Sequence, residues 1–359
     1  MITLNDHRKK VTKTLIAVFS DDKTPKLGLS SLFPSVTTES KLVSIEVERN
    51  KQLVAVDVQR CTDPVRNTFS NFTEKIFEPP YYNESFDFTS CQRYDVTFGA
   101  GQTPTKVDLT FLLKDAKDKL MVLKNKILRA IEKQRSEVLH SGIVKLKNGD
   151  SIDYKRKAES MPVLTGTDVW TNSENCKPLT DLENGMEFLR NEGLSGGSVV
   201  NAIFGRKALQ NFLASKQIKE QAEWKNIQRM QINMPQFDNV SGMVFQGQIA
   251  TTDYLVNIWS YNDNYVDPSD NATLKPYINP NAVVLASDDF VGKTAFAGVP
   301  AILGDAINGQ YVAPLEGEFY VRDVIDQIKL SWLFMISSAP LVIPVSVDRI
   351  YTILTAPEV

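Results

Sequence analysis

Residues 107–154 read VDLTFLLKDAKDKLMVLKNKILRAIEKQRSEVLHSGIVKLKNGDSIDY. Leu113, Ala116, Leu120, Leu123, Ile127, Ile131 and Val138 recur close to the helical period, which predicts one helix from about Val107 to His140. Thr105 or Asp108 can cap its start, and Ser141-Gly142 supplies a stop. At about 1.5 Å per residue the helix spans roughly 40 to 50 Å. That is long for a helix inside a compact domain. Ile143–Lys147 and Ser151–Tyr154 then flank Asn148-Gly149. An Asn-Gly pair between such runs predicts a tight hairpin, because both central residues tolerate positive φ. A long rod followed by a hairpin marks a protein of the α+β class.

On the N-terminal side, Asp6–Phe19 can form a short helix capped by Asn5, and Lys23–Leu32 reads as an extended arm. Residues 41–59 look β-rich, with Leu53–Val58 a strand candidate. Leu53–Phe88 reads as a long projecting hairpin with a weak core, in which Pro79-Pro80 blocks a central strand. Such a hairpin is marginal in water and needs cover, which a neighbouring molecule could supply for Ile76, Phe77, Tyr81, Tyr82, Phe86 and Phe88.

On the C-terminal side the pattern becomes mixed α/β. Helices are predicted at Leu179–Glu192 and Arg206–Lys216, and strands at Ser198–Phe204, Gly242–Ile258 and Ala282–Ser287. Phe319–Ser337 and Leu341–Leu354 close the chain in β-rich segments.

The chain has 359 residues, 42% hydrophobic and 23% charged, an ordinary globular composition with room for two or three domains of about 150 residues. A net charge of −3 implies no general polyanion-binding surface. Cys61, Cys91 and Cys176 are far apart, so neither a disulfide framework nor a zinc site is expected. The basic N-terminus lacks the apolar run of a secretory signal, and the most apolar stretch, Leu333–Val347, is broken by Ser and Pro. No membrane span is expected, and a soluble cytoplasmic protein is.

Little raw material for catalysis is present. His7 and His140 are the two histidines, read as solvated or capping residues. Gly292-Lys293-Thr294 resembles the end of a phosphate loop, but Ser287 stands where its first glycine is needed. Gly193–Gly197 reads as a turn. Asp263, Asp267 and Asp270 lack calcium-loop spacing. No catalytic, cofactor or metal residue is therefore assigned.

Several short motifs share an order and spacing with one family. They are Phe33-Pro34 before Val36–Glu39, Phe77-Glu78-Pro79-Pro80-Tyr81, Trp170 ahead of Asp181, Val284-Leu285 with Gly292, and Ser338-Ala339-Pro340-Leu341. From about residue 30 onward the chain resembles the phage lambda major head protein E family, whose fold is the Hong Kong 97 type. The resemblance implies an N-terminal arm (1–40), first strands and an extended loop (41–100, the loop about 53–88), a peripheral domain with a spine helix (101–170, the helix about 107–140), an axial domain (171–335) and returning strands (336–359). It implies the major capsid protein of a tailed bacteriophage, self-assembling as pentamers and hexamers into an icosahedral head in the host bacterial cytoplasm. Scaffolding, portal and decoration proteins would be its partners, with packaged double-stranded DNA touched non-specifically. Ile76, Phe77, Pro79 and Tyr81 are the expected assembly residues.

Between Lys114 and Glu137 the helix carries eight basic residues against four acids. Lys117, Lys124 and Arg129 are therefore candidates to face DNA phosphates. The alternative is a solvated helix with i,i+4 pairs such as Lys114 with Asp118. Two other functions stay open at this stage: an encapsulin-like nonviral shell, and an α/β enzyme, which would need a pocket of convergent polar groups.

Overall fold

The computed structural model of the chain describes residues 27–47, 73–89, 109–146, 151–223, 230–231, 236–237, 242–251, 253–267, 273–305, 309–326 and 331–357. The predicted helix at Asp6–Phe19, the strand at Leu53–Val58 and the Asn148-Gly149 turn lie outside them.

A 3-10 turn at Gly28–Leu32 leads into β1 (Ser35–Thr37). β2 (Val43–Val47) and β3 (Thr73–Phe77) pair antiparallel, Val43 opposite Phe77, and β4 (Tyr82–Thr89) follows. The helix α1 runs Leu109–Ser141. It ends as the glycine predicts: Gly142 adopts φ +68°, and its amide donates to the Val138 carbonyl at 3.0 Å. β5 (Ile143–Lys145) and β6 (Ser151–Asp153) pair antiparallel.

Next come α2 (Pro178–Asn191), β7 (Val199–Phe204), α3 (Arg206–Ala214) and α4 (Lys216–Glu223). Strands β8 (Met230–Gln231), β9 (Gln236–Phe237), β10 (Val244–Ala250) and β11 (Leu255–Ser260) precede a small hairpin, β12 (Asn264–Val266) with β13 (Leu274–Pro276). The chain closes with β14 (Ala282–Ser287), β15 (Gly292–Phe296), β16 (Val299–Asp305), β17 (Gly309–Leu315), β18 (Tyr320–Asp326), β19 (Ser331–Ser338), β20 (Pro340–Pro344) and β21 (Ile350–Leu354).

The largest sheet runs β21-β14-β7-β11-β10-β8, with β9 also pairing β10. β7 and β11 are parallel, which requires a crossover, and α3 and α4 lie in it. Every residue of β14 is buried, because apolar clusters cover the sheet on both faces. Val284, Ile203 and Ile350 join the core around α1, whereas Val283, Leu285 and Ile353 join the core under α2–α4. A continuous apolar run is what a strand buried on both faces requires. Trp170 anchors the second core: its ring packs on Phe204 and Phe212, and its indole N–H donates to Asp181 on α2 at 2.7 Å.

A second sheet, β18-β19-β4, lies against α1. A third, β1-β15-β20, brings together segments from both ends of the chain. The predicted hairpin at Leu53–Phe88 therefore divides. Thr73–Phe77 is the return strand of a stem, whereas Tyr82–Thr89 is a strand of the body, in register with Ser331–Ser338. Alternation explains it: Tyr82, Glu84 and Phe86 are half-buried while Asn83, Ser85 and Asp87 are exposed.

Candidate functional site

The root of the loop stem is held from inside the molecule. Phe77 packs edge-on against Tyr154, ring centroids 6.4 Å apart, and the Tyr154 hydroxyl donates to the Val342 carbonyl at 2.6 Å. Ile76 pairs with Ser44 in the stem, and Pro79 is buried. Phe86 stacks on Phe334 at 5.4 Å, and the Tyr82 hydroxyl accepts from the Gln134 amide at 2.9 Å. Part of the cover for Phe77, Tyr82 and Phe86 thus comes from the same chain, and each stays half-buried. Tyr81 is different: it stays 47% exposed between β3 and β4. The Lys41–Glu78 ion pair beside it is open to solvent, so it adds little.

Two basic residues of α1, Lys124 and Arg135, turn inward. Lys124 is only 7% exposed and sits over the Phe319 ring at 5.4 Å. Lys119 sits over Phe86, and Lys126 pairs with Glu84 at 2.8 Å. Arg135 is buried against Glu132. Arg129 is exposed and Lys117 half-exposed. Of the three DNA-facing candidates, Lys124 therefore does not share the outer surface of the other two.

Glu132 and Arg135 belong to a buried knot. Glu132 accepts from the Leu29 amide at 2.7 Å and the Tyr261 hydroxyl at 3.0 Å, and Arg135 reaches it at 3.0 Å. Arg135 also donates to Thr294, whose hydroxyl donates to the Phe33 carbonyl. Burial pushes the Glu132 carboxyl up, opposed chiefly by Arg135. The knot ties the segment before β1 to the spine of the fold. Its signal in the sequence is the gap in the apolar stripe between Ile131 and Val138, where Gln134 and Arg135 stand.

At the end of α1, buried Arg156 donates to the carbonyls of Leu139, Ser160 and Ile350 and to the Thr352 hydroxyl. A cation there satisfies helix-terminal carbonyls and complements the helix dipole. Burial pushes Arg156 down to about 9, with Asp348 opposing. His140 accepts the Asn279 amide at 3.0 Å, and burial, helped by Arg156, pushes its pKa down to about 4. It is a neutral acceptor inside the structure, not a solvated side chain.

The remaining sequence motifs resolve structurally. Gly292-Lys293-Thr294 is strand β15, not a loop, and Thr294 is fully buried. The Gly193–Gly197 turn is clamped by Arg349, which donates to the carbonyls of Gly193 and Leu194. Asp267 pairs with Lys275 across the small hairpin at 2.7 Å. Among the described residues, no group of three or more His, Cys, Asp or Glu could hold a metal ion, and no helix is long and apolar enough to cross a membrane.

Comparison with known proteins follows the same direction. The family model for phage major capsid protein E matches residues 12–354. Among solved structures, a protein assigned as a prophage capsid protein in E. coli CFT073 superposes with a TM-score of 0.63 at 16% identity, covering 96% of this chain and 98% of that one. A phage-related protein from Bordetella bronchiseptica RB50 gives a TM-score of 0.54 at 14% identity, with 96% and 98% covered. At these identities the likeness is one of fold. No curated protein matches the sequence.

Proposed function

Because the chain belongs to the phage major capsid protein E family, we propose that its copies tile a closed icosahedral head around double-stranded DNA, joined through the stem that β2 and β3 begin. As a phage major capsid protein it is a component of the virion, with the α+β fold of the Hong Kong 97 type. The family match favours this over a nonviral shell or an enzyme.

The observation that carries the assembly reading is the contrast at the stem root. Phe77 and Pro79 are packed into the body, whereas Tyr81, four residues after Phe77, offers its ring to solvent. A rigid root that presents an aromatic side chain suits a docking anchor, since little entropy remains to be lost. Heterologous contacts of this kind generate rings, here pentamers and hexamers. In that arrangement α1 with the β18-β19-β4 sheet forms the peripheral domain, and the seven-stranded sheet with α2–α4 forms the axial one. Assembly takes place in the host bacterial cytoplasm, with scaffolding, portal and decoration proteins as further partners. Lys117 and Arg129 are the residues of α1 through which packaged DNA is touched, by phosphate contact independent of sequence.

Electron microscopy of the purified full chain tests the proposal. Closed particles with five- and six-fold capsomers are expected. A subunit that stays monomeric at every concentration would overturn it.

A further inference from the structure

We propose that the ribbon formed by β16 and β17 is a second intersubunit arm, docking through its side-chain faces on a neighbouring copy of this chain. The proposal rests on the shell reading above and extends it to a segment that the sequence does not single out.

The ribbon is a two-stranded sheet with seven register pairs, from Val299 opposite Leu315 to Asp305 opposite Gly309. A two-stranded ribbon is marginal in water by itself. Soluble proteins usually protect such strands with charge, yet Asp305 is the only charged residue between Val299 and Leu315. Successive register pairs lie on opposite faces of a ribbon. Leu303 opposite Tyr311 and Ile302 opposite Val312 are consecutive pairs, so both faces carry apolar residue types. Without lysine or arginine, the ribbon has nothing to offer a phosphate backbone. Its composition fits an apolar protein surface.

The position of the root points to a second copy as that surface. The Gly298 amide donates to the Ser40 carbonyl at 3.0 Å, and the Thr38 amide to the Phe296 carbonyl at 2.9 Å. On the second strand of the same base, the Thr37 hydroxyl donates to the Glu316 carboxylate at 2.5 Å. Residues 37–40 lead directly into β2, so the ribbon and the loop stem spring from one place. The approach is close: a Cβ on Gly298 would lie 2.3 Å from the Glu39 carbonyl oxygen. Val299 and Ala301 are 1% exposed, which fixes the base in the body. Pro300 stands opposite Pro314, and two prolines without N–H interrupt sheet extension at the base. In this proposal the faces of the ribbon make the contact, in continuation of the stem.

The experiment uses the full chain. Ile302→Glu and Val312→Lys are made singly, and a photo-crosslinking amino acid replaces Tyr311 in otherwise unchanged protein. Each charge variant is expected to lower the yield of closed particles at least tenfold while the melting temperature of the unassembled subunit stays at the parent value. The crosslinker is expected to give adducts between copies in the particles. Particle yields equal to the parent, or crosslinks confined within one chain, would overturn the proposal, and the crosslinking result stands even where a charge variant misfolds. Absence of particles from the parent chain would instead overturn the shell reading itself.

Discussion

Replacing Phe77 or Tyr81 by alanine separates folding from assembly at the stem root. A fully buried Phe→Ala change costs about 3–5 kcal/mol. Phe77 is half-buried against Tyr154, so about 2 kcal/mol is expected from the subunit. At about 2–4 °C per kcal/mol, its melting temperature falls by about 4–8 °C. Tyr81 is 47% exposed, and its truncation should change subunit stability by less than about 0.5 kcal/mol. An interfacial tyrosine at an anchor position contributes about 2 kcal/mol, and each 1.4 kcal/mol is about tenfold in equilibrium constant. Tyr81→Ala should therefore raise the concentration needed for assembly about 30-fold. Denaturant unfolding of the unassembled subunit and light scattering across a concentration series read the two effects separately. Tyr81→Ala assembling at the parent concentration would refute the anchor. Phe77→Ala with an unchanged unfolding midpoint would refute the intramolecular packing of the root.

Four further outcomes follow from buried groups and from the basic side of α1. Arg156→Ala leaves the carbonyls of Ser160 and Ile350 short of a donor, and about 3 kcal/mol of stability should be lost in denaturant unfolding, with Arg156→Lys recovering only part because an ammonium cannot fork. His140, neutral in the fold with a pKa near 4 against 6.5 unfolded, makes the unfolded chain bind more protons between those values. Stability is then fully present above about pH 6.5 and declines by up to about 3 kcal/mol as pH falls to 4, a slope that His140→Gln should flatten in pH-dependent unfolding. Replacing Lys117 and Arg129 together by Gln should lower full-genome packaging, measured as DNA per particle. Lys124→Gln should instead cost the subunit about 0.5–2 kcal/mol through the lost contact with Phe319, with packaging per assembled particle unchanged.

Local patterns carried a large share of this fold. The apolar period specified α1, observed at Leu109–Ser141, and the glycine after it specified the stop, because both depend on residues within a turn or two of each other. The run at Ala282–Ser287 declared a strand, and the packed structure showed it buried on both faces. Partners, however, are set by distant chain segments. Tyr82–Thr89 became a strand of the body only because Ser331–Ser338 offers it a hydrogen-bonded edge, and no local period encodes that pairing. The charges of α1 are equally mute in sequence: Lys124 and Arg129 are alike as residue types, and the position of Phe319 sends one inward while the other remains outside. Helix propensity and turn geometry act over a few residues, and so can be read along the chain. Burial and pairing depend on which surfaces meet, and that is decided only when the whole chain has packed.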